Sequence, residues 1–113
     1  MLNKPLEVCG TNPVTGYYRN GKCTSGKDDS GTHVVCAVMT KQFLEFTKSR
    51  GNDLSTPNSY FPGLKPGDRW CLCALRWREA YLQKKAPLVV MDATEQTGLK
   101  YSKIEDYKKM SFN

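Results

Sequence analysis

The stretch Pro66-Gly67-Asp68-Arg69-Trp70-Cys71-Leu72-Cys73-Ala74-Leu75-Arg76-Trp77 decides how the rest of the chain is read. It gathers both tryptophans and two of the five cysteines into one apolar run, introduced by a turn and flanked by arginines. Large aromatics bury more area than any other side chain, so both tryptophans in one run mark the centre of the core. Two readings compete. In the first, Asp68 caps a helix running to about residue 85, with Trp70, Ala74, Trp77 and Tyr81 one turn apart on a common stripe. In the second, residues 69–74 are a buried strand and the helix begins near Leu75, where no capping residue stands. The cap and the clean period favour the single helix.

Upstream, Thr32-His33-Val34-Val35-Cys36-Ala37-Val38-Met39 is β-branched and apolar and predicts a buried strand. Thr40 is a good N-cap, and Met39 and Leu44 occupy the two positions of a hydrophobic staple. A helix therefore starts there, turns Phe43, Leu44 and Phe46 inward, and stops at Gly51. Residues 52–67 hold three prolines and two glycines and read as an ordered loop. Closer to the N-terminus, Asn20-Gly21 suits a two-residue hairpin turn between Tyr17-Tyr18-Arg19 and Lys22-Cys23-Thr24. Ser25 to Thr32 is a polar loop. Downstream, Pro87 ends the central helix, Leu88 to Ala93 predicts a strand, and Ser102 caps a short helix through Ile104, Tyr107 and Met110. The order predicts an α+β fold: a small, mostly antiparallel sheet with two to three helices packed on one face.

At 113 residues the chain is sized for a single globular domain, 1–113, with a real core. No apolar run reaches membrane-spanning length and the first residues lack a secretion signal, which predicts an intracellular, soluble, cytoplasmic protein with no membrane partner. The net charge of +6 is spread along the sequence, as a solubility feature would be. Arg76, Arg78, Lys84 and Lys85 accompany Trp77 and Tyr81, but those aromatics fall on the buried stripe, so a nucleic-acid partner is disfavoured. Five is an odd number of cysteines, so a complete disulfide framework would leave one over. In a cytosolic setting the thiols are expected reduced, as small core hydrophobes.

Three chemistries remain open. His33, Cys36, Cys71 and Cys73 are soft ligands that could meet on zinc, but neither short pair has the usual spacing, and on a strand positions 33 and 36 face opposite ways. No cofactor is therefore expected, with zinc the alternative. Cys71 or Cys73 could serve a thiol enzyme or redox protein, with the single His33 approaching through the fold. Finally, Asp28, Asp29, His33, Arg50, Asn52, Asp53, Asp68 and Arg69 lie at element ends and in loops, where binding groups are usually presented. A polar loop pocket for a small molecule or anion is the favoured expectation, ahead of an enzyme.

Several stretches together carry a resemblance. They are Asn12-Pro13-Val14-Thr15-Gly16, His33-Val34-Val35-Cys36-Ala37-Val38-Met39-Thr40, Gly51-Asn52-Asp53-Leu54-Ser55-Thr56-Pro57 and Phe61-Pro62-Gly63-Leu64 running on through Gly67-Asp68-Arg69-Trp70-Cys71-Leu72-Cys73-Ala74. The chain resembles the domain-of-unknown-function family numbered twenty-two thirty-seven, chiefly bacterial, with relatives in algae and their large viruses. The resemblance is strongest up to Met91 and implies a stand-alone soluble domain without an assigned activity. Many relatives carry His after the Ala-Thr pair, where this chain has Glu95.

Overall fold

Four consecutive buried residues, Val34, Val35, Cys36 and Ala37, make the strand β1 (His33–Val38) the centre of the molecule. A strand buried on both sides needs cover over both faces and partners at both edges. The structure, a computed structural model, describes residues 6–11, 15, 20–24, 26, 33–57 and 63–112. Within it, β1 pairs antiparallel with β2 (Arg69–Cys73) on one side and β3 (Leu88–Val89) on the other, giving the order β2-β1-β3. With the helices α1 (Lys41–Ser49), α2 (Ala74–Leu82) and α3 (Ile104–Lys109), the architecture is α+β, as expected.

The helix from Asp68 does not form. Residues 69–73 are a strand, and α2 begins at Ala74 without a side-chain cap. The reason is non-local: β1 exposes a full row of backbone donors and acceptors along that edge, and β2 satisfies them. Asp68 has a different task. Its carboxylate accepts the Lys65 N–H at 2.9 Å, and its carbonyl accepts the Met39 N–H at 2.8 Å, closing the turn that leads into β2. The helical stripe survives only beyond Ala74, where Trp77 and Tyr81 stack with ring centroids 5.0 Å apart.

The pleat of the sheet sorts the core into two. Val35 and Ala37 face the same side as Leu72 and Trp70, in one cluster with Phe43, Leu44 and Phe46 of α1, Trp77 and Ala80 of α2, and Tyr107 of α3. The other side carries Cys36 and Cys71, packed with Cys9, Cys23, Val90 and Ala93. Helices therefore cover the aromatic face, and cysteines tie the early part of the chain to the opposite face.

Local signals hold well around α1. The Thr40 hydroxyl accepts the Phe43 N–H at 3.1 Å, the Met39 and Leu44 staple is buried, and Gly51 follows the helix at φ +88°. Gly21 turns at φ +84°, with the Lys22 N–H bound to the Asn20 side chain; residues 17–19 of the expected hairpin lie outside the described residues. The strand expected over 88–93 stops at Val89. Thr94 explains this: its hydroxyl donates to the Val90 carbonyl and accepts the Cys36 N–H, taking the place of a ladder partner while Met91–Ala93 coils into a 3-10 turn. The cap of α3 falls at Lys103, not Ser102, and Ser102 is buried instead.

Candidate functional site

Four of the five cysteines, expected as reduced core thiols, are instead joined in disulfides. Cys9 bonds Cys36 and Cys23 bonds Cys71, with Cα separations of 5.6 and 5.2 Å, inside the ordinary range for the bond. Cys73 is left over, as an odd count requires, and is half-buried. This divides the expected ligand set of His33, Cys36, Cys71 and Cys73. Cys36 and Cys71 face one another across the ladder but each is bonded to a sulfur from the early segment, while His33 and Cys73 pair at the far end of the same ladder. A dithiol made of Cys71 and Cys73 does not exist in this state, because the Cys71 sulfur is engaged with Cys23.

At the ladder's end the register slips between His33 and Val35, and His33 comes to stand opposite Cys73. A cleft of about 170 Å³ opens there, with His33, Asn52, Cys73 and Arg76 as its polar wall and Leu54, Trp70 and Leu72 as its apolar floor. Cys73 is the N-cap residue of α2, and its side chain makes no capping bond to the first N–H groups of that helix. The first turn of α2 holds no acidic residue and does hold Arg76. That is the reverse of the ordinary charge preference at a helix start. Arg76 is anchored through Nη1, which donates to the Arg50 carbonyl at 3.2 Å and reaches Glu79 at 3.4 Å, leaving the rest of its donor fork for other acceptors.

Of the residues expected in a binding pocket, the fold brings His33 and Asn52 to this cleft. Asn52 is held by its amide donating to the Thr47 hydroxyl at 3.0 Å. Asp53, next in sequence, is spent on its own loop. Hydrogen bonds from Thr56 and Ser55, with Lys48 nearby, outweigh partial desolvation and hold its carboxyl at about 2. Asp68 closes the 65–68 turn. Arg50 lies over the Phe46 ring and Arg69 over the Phe112 ring, at 5.4 and 5.5 Å from the centroids. Asp28 and Asp29 lie outside the described residues. The residues missed from sequence, Cys73 as a cap position and Arg76 as a first-turn cation, were legible only under the strand-then-helix reading of 69–85.

Two of the basic residues of α2 and its end have partners within the fold. Arg78 donates to the Tyr101 carbonyl at 3.1 Å, and Lys85 sits 5.4 Å from the Phe46 ring centroid. A shallower groove of about 470 Å³ passes Tyr81, Leu82 and Met110 with Lys84 and Lys109 at its rim, and none of the expected site residues reaches it. No helix is long and apolar enough to cross a membrane among the described residues. Compared with known proteins, residues 1–111 match a family described as an uncharacterized protein conserved in bacteria. No curated protein matches the chain.

Proposed function

Since the chain belongs to the uncharacterised bacterial family DUF2237, whose description carries no activity, we propose from its own geometry that it is a binding domain for a small anion. The observation that carries this reading is the start of α2: a helix N-terminus without a side-chain cap, with Arg76 in its first turn and His33 across from its cap residue. Backbone N–H groups at a helix start attract negative charge, and a guanidinium adds directed donors. The cleft of about 170 Å³ is below the size that drug-like ligands occupy, which favours an inorganic anion or a short organic acid.

The test is a titration with inorganic phosphate, sulfate and short carboxylates, followed by amide chemical shifts. Binding here predicts shifts clustered at residues 33, 52–54 and 70–76, reduced at least tenfold in affinity by Arg76→Gln. Shifts scattered over the surface and unchanged by Arg76→Gln would defeat the reading.

A second reading rests on Cys73 itself, the one free thiol, opposite the single histidine. A thiol protein acting through Cys73 loses its function in Cys73→Ser, whereas a pure binding domain retains its fold and its anion shifts in that variant. Protection of Cys73 from iodoacetamide by the bound anion would place both chemistries in one cleft.

A further inference from the structure

The four bonded cysteines share more than two cross-links. The sulfurs of Cys9, Cys23 and Cys36 all lie within 4.8 Å of one another, and the Cys71 sulfur, bonded to that of Cys23, stands just outside that group. Each of the four residues is at most 1% exposed. We propose that these four cysteines, when reduced, form a closed tetrathiolate site for a soft divalent cation, with zinc the natural occupant.

The geometry supports this in three ways. Four sulfurs at Zn–S distances of about 2.3 Å stand roughly 3.8 Å apart in a tetrahedron, a separation within reach of the Cys9, Cys23 and Cys36 sulfurs and reached by the Cys71 sulfur on moving toward them once its bond to Cys23 is open. Cys36 and Cys71 are directly opposed on adjacent strands, which gives the site a rigid half before any ion arrives. Cys9 and Cys23 come from a segment with no helix or extended strand among its described residues, whose turn is pinned by Cys9 N–H and Gly21 N–H hydrogen bonds. Opening the Cys9–Cys36 and Cys23–Cys71 bonds releases those two sulfurs from their strand partners. The apolar neighbours are Val38, Val90 and Ala93, and the Thr15 and Thr94 hydroxyls accept the Cys71 and Cys36 N–H groups, so among the described residues the surroundings describe a structural site and not a catalytic one.

The chemistry balances. Each disulfide takes two electrons and two protons from a dithiol, which is itself oxidised to a disulfide; two such exchanges give four thiols. Binding one divalent cation then releases the four thiol protons and leaves four thiolate–metal bonds. Oxidised and metal-loaded forms are thus alternative staples for the same segment, chosen by the redox state of the surroundings. Cys73 takes no part in either.

The experiment uses the full chain, reduced in denaturant with a phosphine, desalted without oxygen and refolded with or without Co²⁺ and then Zn²⁺. The expected result is one Co²⁺ per chain, with the absorption of a tetrahedral cobalt thiolate, displaced by one Zn²⁺. Zinc should also lower the rapidly titrating thiols from five to one, and Cys73→Ser should leave cobalt binding intact. If the reduced chain is unfolded without metal, recovery of native-like circular dichroism on adding one equivalent of zinc supports the site. Absence of a tetrahedral spectrum, no protection of thiols by zinc, or loss of binding in Cys73→Ser overturns it.

Discussion

His33 and Cys73 stand directly opposite one another in the antiparallel β1–β2 ladder, at the point where β1 begins and β2 gives way to α2. The only histidine and the only free thiol are thereby brought together by strand pairing and not by sequence spacing. Thiol reactivity reads this arrangement out. Without reductant, one thiol per native chain should titrate, and Cys73→Ser should abolish the signal while leaving the circular dichroism spectrum unchanged. Two or more reactive thiols in the native chain would mean that a disulfide is missing.

The two cross-links should matter in proportion to the loops they close. Sequence separations of 27 and 48 residues correspond to about 3.5 and 4 kcal/mol of loop-closure entropy. Replacing Cys9 and Cys36 together by Ser, or Cys23 and Cys71 together, should therefore lower the unfolding free energy by comparable amounts in guanidinium titrations. Because the two loops interleave and the bonds pack together, removing both should not give a simple sum.

Gly51 and Gly63 both adopt positive φ, at +88° and +80°, but in different surroundings. A Cβ on Gly51 would meet nothing within 4 Å, so Gly51→Ala should cost only the backbone strain, about 1 kcal/mol. A Cβ on Gly63 would lie 2.5 Å from the Ser55 carbonyl oxygen and 3.1 Å from the Pro57 nitrogen. Gly63→Ala should cost at least about 2 kcal/mol, because both contacts are backbone and neither can swing away. Equal midpoint shifts for the two variants would contradict the packing of Gly63 against Ser55 and Pro57.

Tyr107 and Asp53 each add a pH dependence to stability, at opposite ends of the scale. Burial, the largest influence, raises Tyr107 above its ordinary value, and its hydroxyl donates to the Gly98 carbonyl at 2.8 Å. A raised tyrosine stabilises the fold below pH 10, its unfolded value, and that contribution is lost as pH climbs beyond it. Tyr107→Phe should accordingly flatten the alkaline fall in melting temperature and cost about 1 kcal/mol at neutral pH. At the acid end, Asp53 is held at about 2 against an ordinary 3.8, so its contribution is complete above 3.8 and fades as pH drops through about 2. Asp53→Asn should remove that acid-side slope. The group is exposed and the effect is small.

Much of the fold is legible residue by residue. The β-branched run at 33–38, the Thr40 cap, the Met39–Leu44 staple and the Gly51 stop each act on neighbours a few positions away, and each is found where the chemistry puts it. Trp70, Trp77, Phe43, Phe46, Val34 and Val89 belong to one core because apolar bulk has nowhere else to go in a chain of this size. The site was only half visible. His33 and Asn52 were legible as polar residues at element ends, but Asp53 and Asp68 turn out to be occupied in their own loops, as short carboxylates beside unpaired N–H groups commonly are.

The sequence by itself determined the class of fold, the central strand, the first helix and the presence of an unpartnered cysteine. Tertiary structure alone decided three things: that residues 69–73 extend instead of coiling, which sulfurs meet, and that His33 faces Cys73. All three depend on the edge of β1. Its row of backbone donors and acceptors must be paired, and here residues distant in sequence do so. Once Arg69–Cys73 fills that edge, the pleat carries Cys71 beside Cys36 on the disulfide-bearing face and sends Trp70 and Leu72 to the aromatic one. A cap and a helical period are local preferences of about a kilocalorie per mole, and a row of otherwise unpaired backbone groups on a buried strand outweighs them.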